Sequence, residues 1–156
     1  MDFATLSIAI SDLENHVTII RDVARNSVYE SKRRTPAEAT TYLDSKITFA
    51  KIQLGRDVDD FMKGAFDKDS SSDYYTKSDL TNCEILQPAY EYLTLWLIYE
   101  DLMNKANELK YIANSEEGQT VLEWKKWERR YKDAIQIFSY LEITDVLQNP
   151  MLRRTS

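Results

Sequence analysis

Apolar residues recur every three or four positions along most of this chain, the period of helices that bury one face. Leu13, Val17, Ile20, Ala24 and Val28 form the first such series and predict a helix from about Leu6 or Ser11 to Val28. "ESKRRTP" then breaks the pattern and places Lys32, Arg33 and Arg34 in a loop. Thr35-Pro36-Ala37-Glu38 reads as a helix start, with Thr as N-cap, Pro at the first helical position and Glu at the third. Leu43, Ile47, Ala50, Leu54, Val58 and Phe61 continue that helix at intervals of three or four, and Gly55 weakens or bends it without ending it.

Around "KGAFDKDSSSDYYTKSD" the period dissolves. Residues 57–73 hold six Asp against two Lys, and with the Ser run they predict an exposed acidic loop. Ser78 or Asp79 can cap the next segment, with Pro88 near its first turn or at a kink. Ala89, Leu93, Trp96, Leu97 and Met103 lie on one side of it, and Tyr92, Leu95, Tyr99 and Leu102 on a second. A helix apolar most of the way round is the central helix of a bundle. After "NSEEGQT", Thr120-Val121-Leu122-Glu123 reads as a second capping box. Trp124, Trp127, Tyr131, Ala134, Ile135, Phe138 and Leu141 then make an amphipathic stripe opposite a mixed-charge face. "ITDVLQNPMLRRTS" closes the chain, Pro150 stopping any helix. The expectation is one all-α domain, a compact bundle of four to five helices over residues 1–147, with an extended C-terminal tail over 148–156.

Composition sharpens this picture in two ways. With three Gly and three Pro in 156 residues, a turn-rich all-β fold and a glycine-rich phosphate loop are both disfavoured. Ten Tyr and three Trp supply more aromatic surface than a core of this size needs, and such residues are enriched at interfaces. A net charge of −6 argues against a general nucleic-acid coat or a binder of anionic membranes. The N-terminal "MDFATLSIAISDLENH" lacks the basic start of a signal peptide, and Leu93–Tyr99 is far too short to span a bilayer, so a cytosolic origin and no membrane partner are expected.

Candidate chemistry is sparse. The single Cys83 excludes an intrachain disulfide framework or a cysteine-rich zinc site, and reads as a small buried residue. The single His16 has Leu13 three residues before it, so the Glu-x-x-His pairs of a di-iron bundle cannot be built. No Glu-x-x-Glu, Walker loop, dinucleotide fingerprint or Gly-x-Ser-x-Gly elbow occurs. Asp57, Asp59 and Asp60 read as a solvated charge run rather than metal ligands. Lys32-Arg33-Arg34 and Arg153-Arg154 could touch phosphates or an acidic surface, but read first as solubilising charges. No catalytic residue, metal or cofactor is expected, and the protein is read as a non-enzyme.

"ILQPAYEYLTLWLIYEDLMNKANELKY" followed by "EWKKWERRYKDAIQIF" resembles the last two helices of the head–tail connector (adaptor, or head-completion) proteins of tailed bacteriophages. The residues carrying the likeness are Ala89, Tyr92, Leu93, Ile98, Tyr99, Asp101 and Leu102, then Trp127, Tyr131 and Ala134. "SKITFAKIQLGRDVDDFM", through Ala50, Arg56 and Asp57, is similar to that family's earlier helix. The likeness covers roughly residues 42–138; the longer N-terminal helix and the insertion at Asp67–Asp79 depart from it.

The resemblance implies a virion protein of the neck, assembled in the host cytoplasm. It would form a ring of itself, commonly of about twelve subunits, docked on the portal, joining it to tail or neck proteins and lining a channel for DNA passing without sequence-specific contact. Acidic side chains facing that channel would repel phosphates and let DNA slide. Within this reading Tyr74, Tyr75, Trp96 and Tyr99 are candidate subunit contacts. Met151, Leu152, Arg153 and Arg154 are a candidate arm that orders on docking to the portal. Trp124 and Trp127 are assigned to the core. A second reading remains open, a cytosolic helical-bundle regulator binding one protein partner through the same aromatic face. A third is a small metal-dependent hydrolase.

Overall fold

Helix starts and stops in this chain follow local capping chemistry, and tertiary packing decides the rest. The computed structural model describes residues 1–25, 33–68, 73–109 and 115–143. Five α-helices lie among them: α1 (Ile10–Glu14), α2 (Ile20–Arg25), α3 (Pro36–Ala65), α4 (Gln87–Leu109) and α5 (Ser115–Ala134). The all-α bundle expected from the periodicity is therefore the observed architecture. The sole strand pairing among the described residues is a two-residue antiparallel pair, Asp67–Lys68 with Asp73–Tyr74, at the rim of the acidic stretch.

α3 begins where the sequence places it. Thr35 Oγ1 accepts the Glu38 backbone N–H at 3.2 Å, and Glu38 Oε1 accepts the Thr35 N–H at 2.9 Å. Two donors that the first turn leaves unpaired are thus satisfied reciprocally. The helix runs 30 residues, straight through Gly55. A Cβ at Gly55 would lie 3.3 Å from the Phe3 ring and 3.2 Å from Lys77 Cε, so the bare backbone lets the N-terminal segment sit close against α3.

Three boundaries differ from the sequence reading. The helix expected from Leu6 or Ser11 to Val28 is two short helices, α1 and α2, and Val28 lies outside the described residues. Between them Val17-Thr18-Ile19-Ile20 is a run of β-branched residues, which lose side-chain freedom in a helix. Ser78 and Asp79 do not cap the central helix. Asp79 Oδ2 accepts the Thr76 N–H at 2.9 Å and so caps a 3₁₀ turn, Lys77–Asp79. A second 3₁₀ turn, Cys83–Leu86, leads into α4 at Gln87, and Pro88 falls in the first turn where its missing N–H costs nothing. Thr120 is no cap either, because α5 already begins at Ser115.

α4 is the central element. Its Tyr90, Leu93, Leu95, Ile98 and Tyr99 are buried, together with Thr94, whose hydroxyl donates to the Tyr90 carbonyl at 2.8 Å. These buried side chains are covered by the chain itself, by α3, α5 and the N-terminal segment. Bonds from Tyr42 to Asp101 and from Tyr90 to the Ile47 carbonyl set α4 antiparallel to α3. Past α5 the chain tightens into a 3₁₀ helix, Ile135–Tyr140, and Ile143 then bridges to Leu80. Asn82 fastens this end, donating to the Tyr140 carbonyl and accepting the Glu142 N–H, both at 2.9 Å.

Candidate interaction surfaces

The polar residues that could carry chemistry are engaged within the chain. Asp57 accepts the Tyr131 hydroxyl through Oδ2 and the Gln53 amide through Oδ1 at 3.0 Å, so α3 and α5 are tied by one carboxylate. Asp59 holds both the ammonium of Lys77, at 2.6 Å, and its backbone N–H, at 3.1 Å. Among the described residues no three His, Cys, Asp or Glu side chains are grouped to hold a metal ion. Cys83 is buried, and that burial pushes its thiol up to about 11, far from the thiolate a nucleophile needs.

A polar contact between His16 and Glu91, both largely buried, joins the N-terminal segment to α4. His16 Nε2 lies 2.7 Å from Glu91 Oε1, and Gln87 Nε2 donates to the other carboxylate oxygen at 2.9 Å. The imidazole packs beside Tyr92 and Trp127, whose rings stack 5.9 Å apart. Enclosed by aromatic rings and bonded to a carboxylate 75 positions away in sequence, His16 has a structural explanation without any substrate.

The basic loop is only partly a charged arm. Arg34 stacks 4.1 Å over the Tyr42 ring and donates from Nη1 to the Ala24 carbonyl at 2.9 Å. Arg33 donates to the Asp22 carbonyl at 3.2 Å, and Lys32 lies outside the described residues. Tyr42 in turn donates to Asp101 at 2.7 Å, and burial followed by that bond drives its phenol far above the usual tyrosine range. These residues clamp α2 onto α3 and α4.

The candidate contact residues separate into core and surface. Tyr75 and Tyr99 are each 5% exposed and belong to the chain's own core, Tyr99 with its phenol raised by burial and then by Glu123. Tyr74 is exposed within the small strand pair, opposite Asp67. Trp96 is half-buried against Tyr131, with its indole nitrogen enclosed and without a hydrogen-bond partner. Trp127 is fully buried, and Trp124 donates to Glu100 at 3.4 Å. Met151, Leu152, Arg153 and Arg154 lie outside the described residues.

Two surfaces stand out among the described residues by exposure and shape. On α3, Phe49 and Ile52 are 55% and 50% exposed, three residues apart on one face. Beside them is a shallow concavity of about 530 Å³, floored by Phe3, Gly55 and Tyr90 and edged by Lys51, Arg56 and Lys77. The pattern that places Leu43, Ala50 and Leu54 in the core also places Phe49 and Ile52 off the buried stripe, so this strip had a readable signal. The second surface is a groove of about 800 Å³ between α3, α4 and α5. Its apolar floor includes Phe61, Leu93, Trp96 and Leu97, and Asp57, Asp60, Glu100 and Lys132 supply its charges.

No helix among the described residues is long and apolar enough to cross a membrane. No protein-family model, curated protein or solved structure matches the chain.

Proposed function

We propose that this chain is a non-enzymatic structural subunit that works by side-to-side assembly, of the head–tail connector type. In this reading it forms a ring in the virion neck, seated on the portal, contacting tail or neck proteins and leaving a passage for DNA. The observation that carries it is the Phe49–Ile52 face. A helix bundle whose core is complete still presents a large aromatic and a β-branched aliphatic side chain, adjacent on its longest helix. Ring closure needs heterologous contacts, in which one patch meets a different patch on the next copy. Ile52 also lines the concavity edged by Lys51 and Lys77, so the two form one continuous patch, and the opposing patch is a different face of the next copy. The likeness of residues 42–138 to connector helices supports the type of assembly. The intersubunit role assigned to aromatic side chains then falls on Tyr74, Phe49 and the exposed edge of Trp96, since Tyr75 and Tyr99 are occupied within the core.

Sedimentation velocity of wild type and Ile52→Glu, alone and with portal oligomers, tests this. The wild type should form a closed ring, either alone or on the portal, and Ile52→Glu should remain a folded monomer. Identical species in both samples would remove the α3 face from assembly.

A further inference from the structure

We propose that the face of α5 carrying Lys125, Lys126, Arg129 and Arg130 is a docking surface for the phosphate backbone of duplex DNA. These positions follow one another as i, i+1, i+4 and i+5, so they share one arc of the helix over about one and a half turns. Along the sequence the stretch is mixed in charge, because Glu123, Glu128 and Asp133 are interleaved with the cations. The structure sorts these charges. Glu128 pairs with Lys132 at 3.8 Å, and Glu123 accepts the Trp127 indole N–H at 2.9 Å. Asp133 lies a turn beyond Arg129, at the C-terminal end of the face. Among the described residues no carboxylate forms an ion pair with any of the four cations.

Three of the cations stand over indole rings instead. Lys125 Nζ is 5.1 Å from the Trp124 ring centroid, and Lys126 and Arg130 are 4.6 and 5.0 Å from that of Trp127. A ring quadrupole holds a cation without cancelling its charge. Trp127 is itself buried, so Lys126 and Arg130 are anchored to the core and stay positive at the surface. Two features select a duplex backbone over other anions. None of the exposed large apolar side chains among the described residues lies on α5. Protein interfaces have an apolar centre depleted in lysine, and amphipathic helices hold membranes by apolar insertion as well as charge, whereas phosphate contacts need only cations. The rings also lie beneath their cations, so the face lacks the bare stacking platform that single strands use. The choice of DNA over duplex RNA rests on the connector reading; the cationic face stands without it.

Fluorescence anisotropy of a labelled mixed-sequence DNA duplex, titrated with the full chain between about 50 and 150 mM salt, tests this. Four phosphate contacts give a slope of log affinity on log salt of about −3.6, a loss of about fiftyfold over that range. Arg129→Gln should make the slope shallower by about one, and Lys125→Gln with Arg129→Gln by about two, with the helical circular dichroism unchanged. Lys63→Gln, which removes an exposed cation of α3, should leave the slope as it is. No binding at the lowest salt, or a slope unchanged in both α5 variants, overturns the proposal. An equal loss in Lys63→Gln does so too, because the attraction is then diffuse. Displacement by poly-glutamate as effective, per charge, as by unlabelled duplex would assign the face to an acidic protein instead. Tighter binding of duplex RNA would overturn the choice of DNA. Ring closure is read separately by sedimentation, so DNA binding by a chain that forms no ring would sink the connector reading and leave the α5 face assigned.

Discussion

Replacing His16 with Leu isolates the contact that fastens the N-terminal segment to the central helix. Leucine keeps apolar bulk against Tyr92 and Trp127 but withdraws the ring nitrogen 2.7 Å from Glu91. Glu91 is 12% exposed and cannot recover that bond from bulk water without opening the bundle. Its second oxygen keeps the Gln87 amide, so the carboxylate is weakened rather than orphaned. A hydrogen bond to a charged group contributes about 1.5–3 kcal/mol, and no larger loss is expected because half of the carboxylate stays paired. For a domain of this size that lowers Tm by about 3–12 °C. Urea unfolding followed by far-ultraviolet circular dichroism measures it directly, with the slope of the transition unchanged. The companion variant Glu91→Leu and the double variant complete a cycle. If the two side chains act as a pair, the double loss falls short of the sum by more than about 0.5 kcal/mol. A loss below about 0.5 kcal/mol for His16→Leu, or strict additivity in the cycle, would refute the pairing as a source of stability.

Three further outcomes follow from the same geometry. Tyr131→Phe removes the hydroxyl that Asp57 accepts and should cost about 1–3 kcal/mol, read as a lower urea midpoint; no change would mean that water replaces the bond without loss. Asn82→Ala deletes the two side-chain bonds from Asn82 to residues 140–142 and leaves those that Thr81 donates to the Glu142 carbonyl. It should raise amide exchange at Leu141 and Ile143 well before the rest of the bundle opens, and uniform exchange would contradict a local fastening. Alkaline pH should destabilise the protein. Burial raises the Tyr90 phenol to about 12, and the Tyr42, Tyr99 and Tyr131 phenols are raised further. The folded state then holds protons that the unfolded chain releases near pH 10, so this stability is complete below that pH and lost as pH rises through 12 and above. Urea midpoints between pH 8 and 11.5, with phenolate absorbance at 295 nm, should show these tyrosines ionising only with unfolding.

How legible the molecule was in its sequence varied with the kind of signal. The α3 start was readable because Thr35, Pro36 and Glu38 act through neighbours three residues apart, and the structure shows both bonds of that box. The same motif at Thr120 was misleading, since a helix that starts at Ser115 carries it in its interior. The apolar character of Gln87–Tyr111 correctly marked a central helix, and the cover over Tyr90, Leu93, Leu95, Ile98 and Tyr99 comes from the chain itself. Periodicity alone cannot distinguish cover by the same chain from cover by another, which is why Tyr75 and Tyr99 were candidates for contacts and are core. The break between α1 and α2 hides in a pattern that stays apolar through it. Contacts across 59 to 80 residues, such as Tyr42 with Asp101 or Met1 with Thr81, leave no local trace at all.

For function, the readable signal was the chain's surplus of aromatic residues. The structure relocates that surplus. Tyr42, Tyr90, Tyr99 and Tyr131 spend it internally, three of them through hydroxyls bonded to α3 carboxylates, α4 carboxylates or α3 backbone. The exposed remainder among the described residues includes Tyr74 and Tyr140 as well as Phe49 and Ile52, which depart from the buried stripe of α3.

The measurement that bears most directly on assembly is native mass spectrometry of the purified chain, alone across a range of concentrations and mixed with portal oligomers. The connector reading predicts a single closed ring, formed either by the chain itself or only on the portal. A monomer or dimer at every concentration, indifferent to the portal, would contradict it and leave a helical bundle that binds one partner.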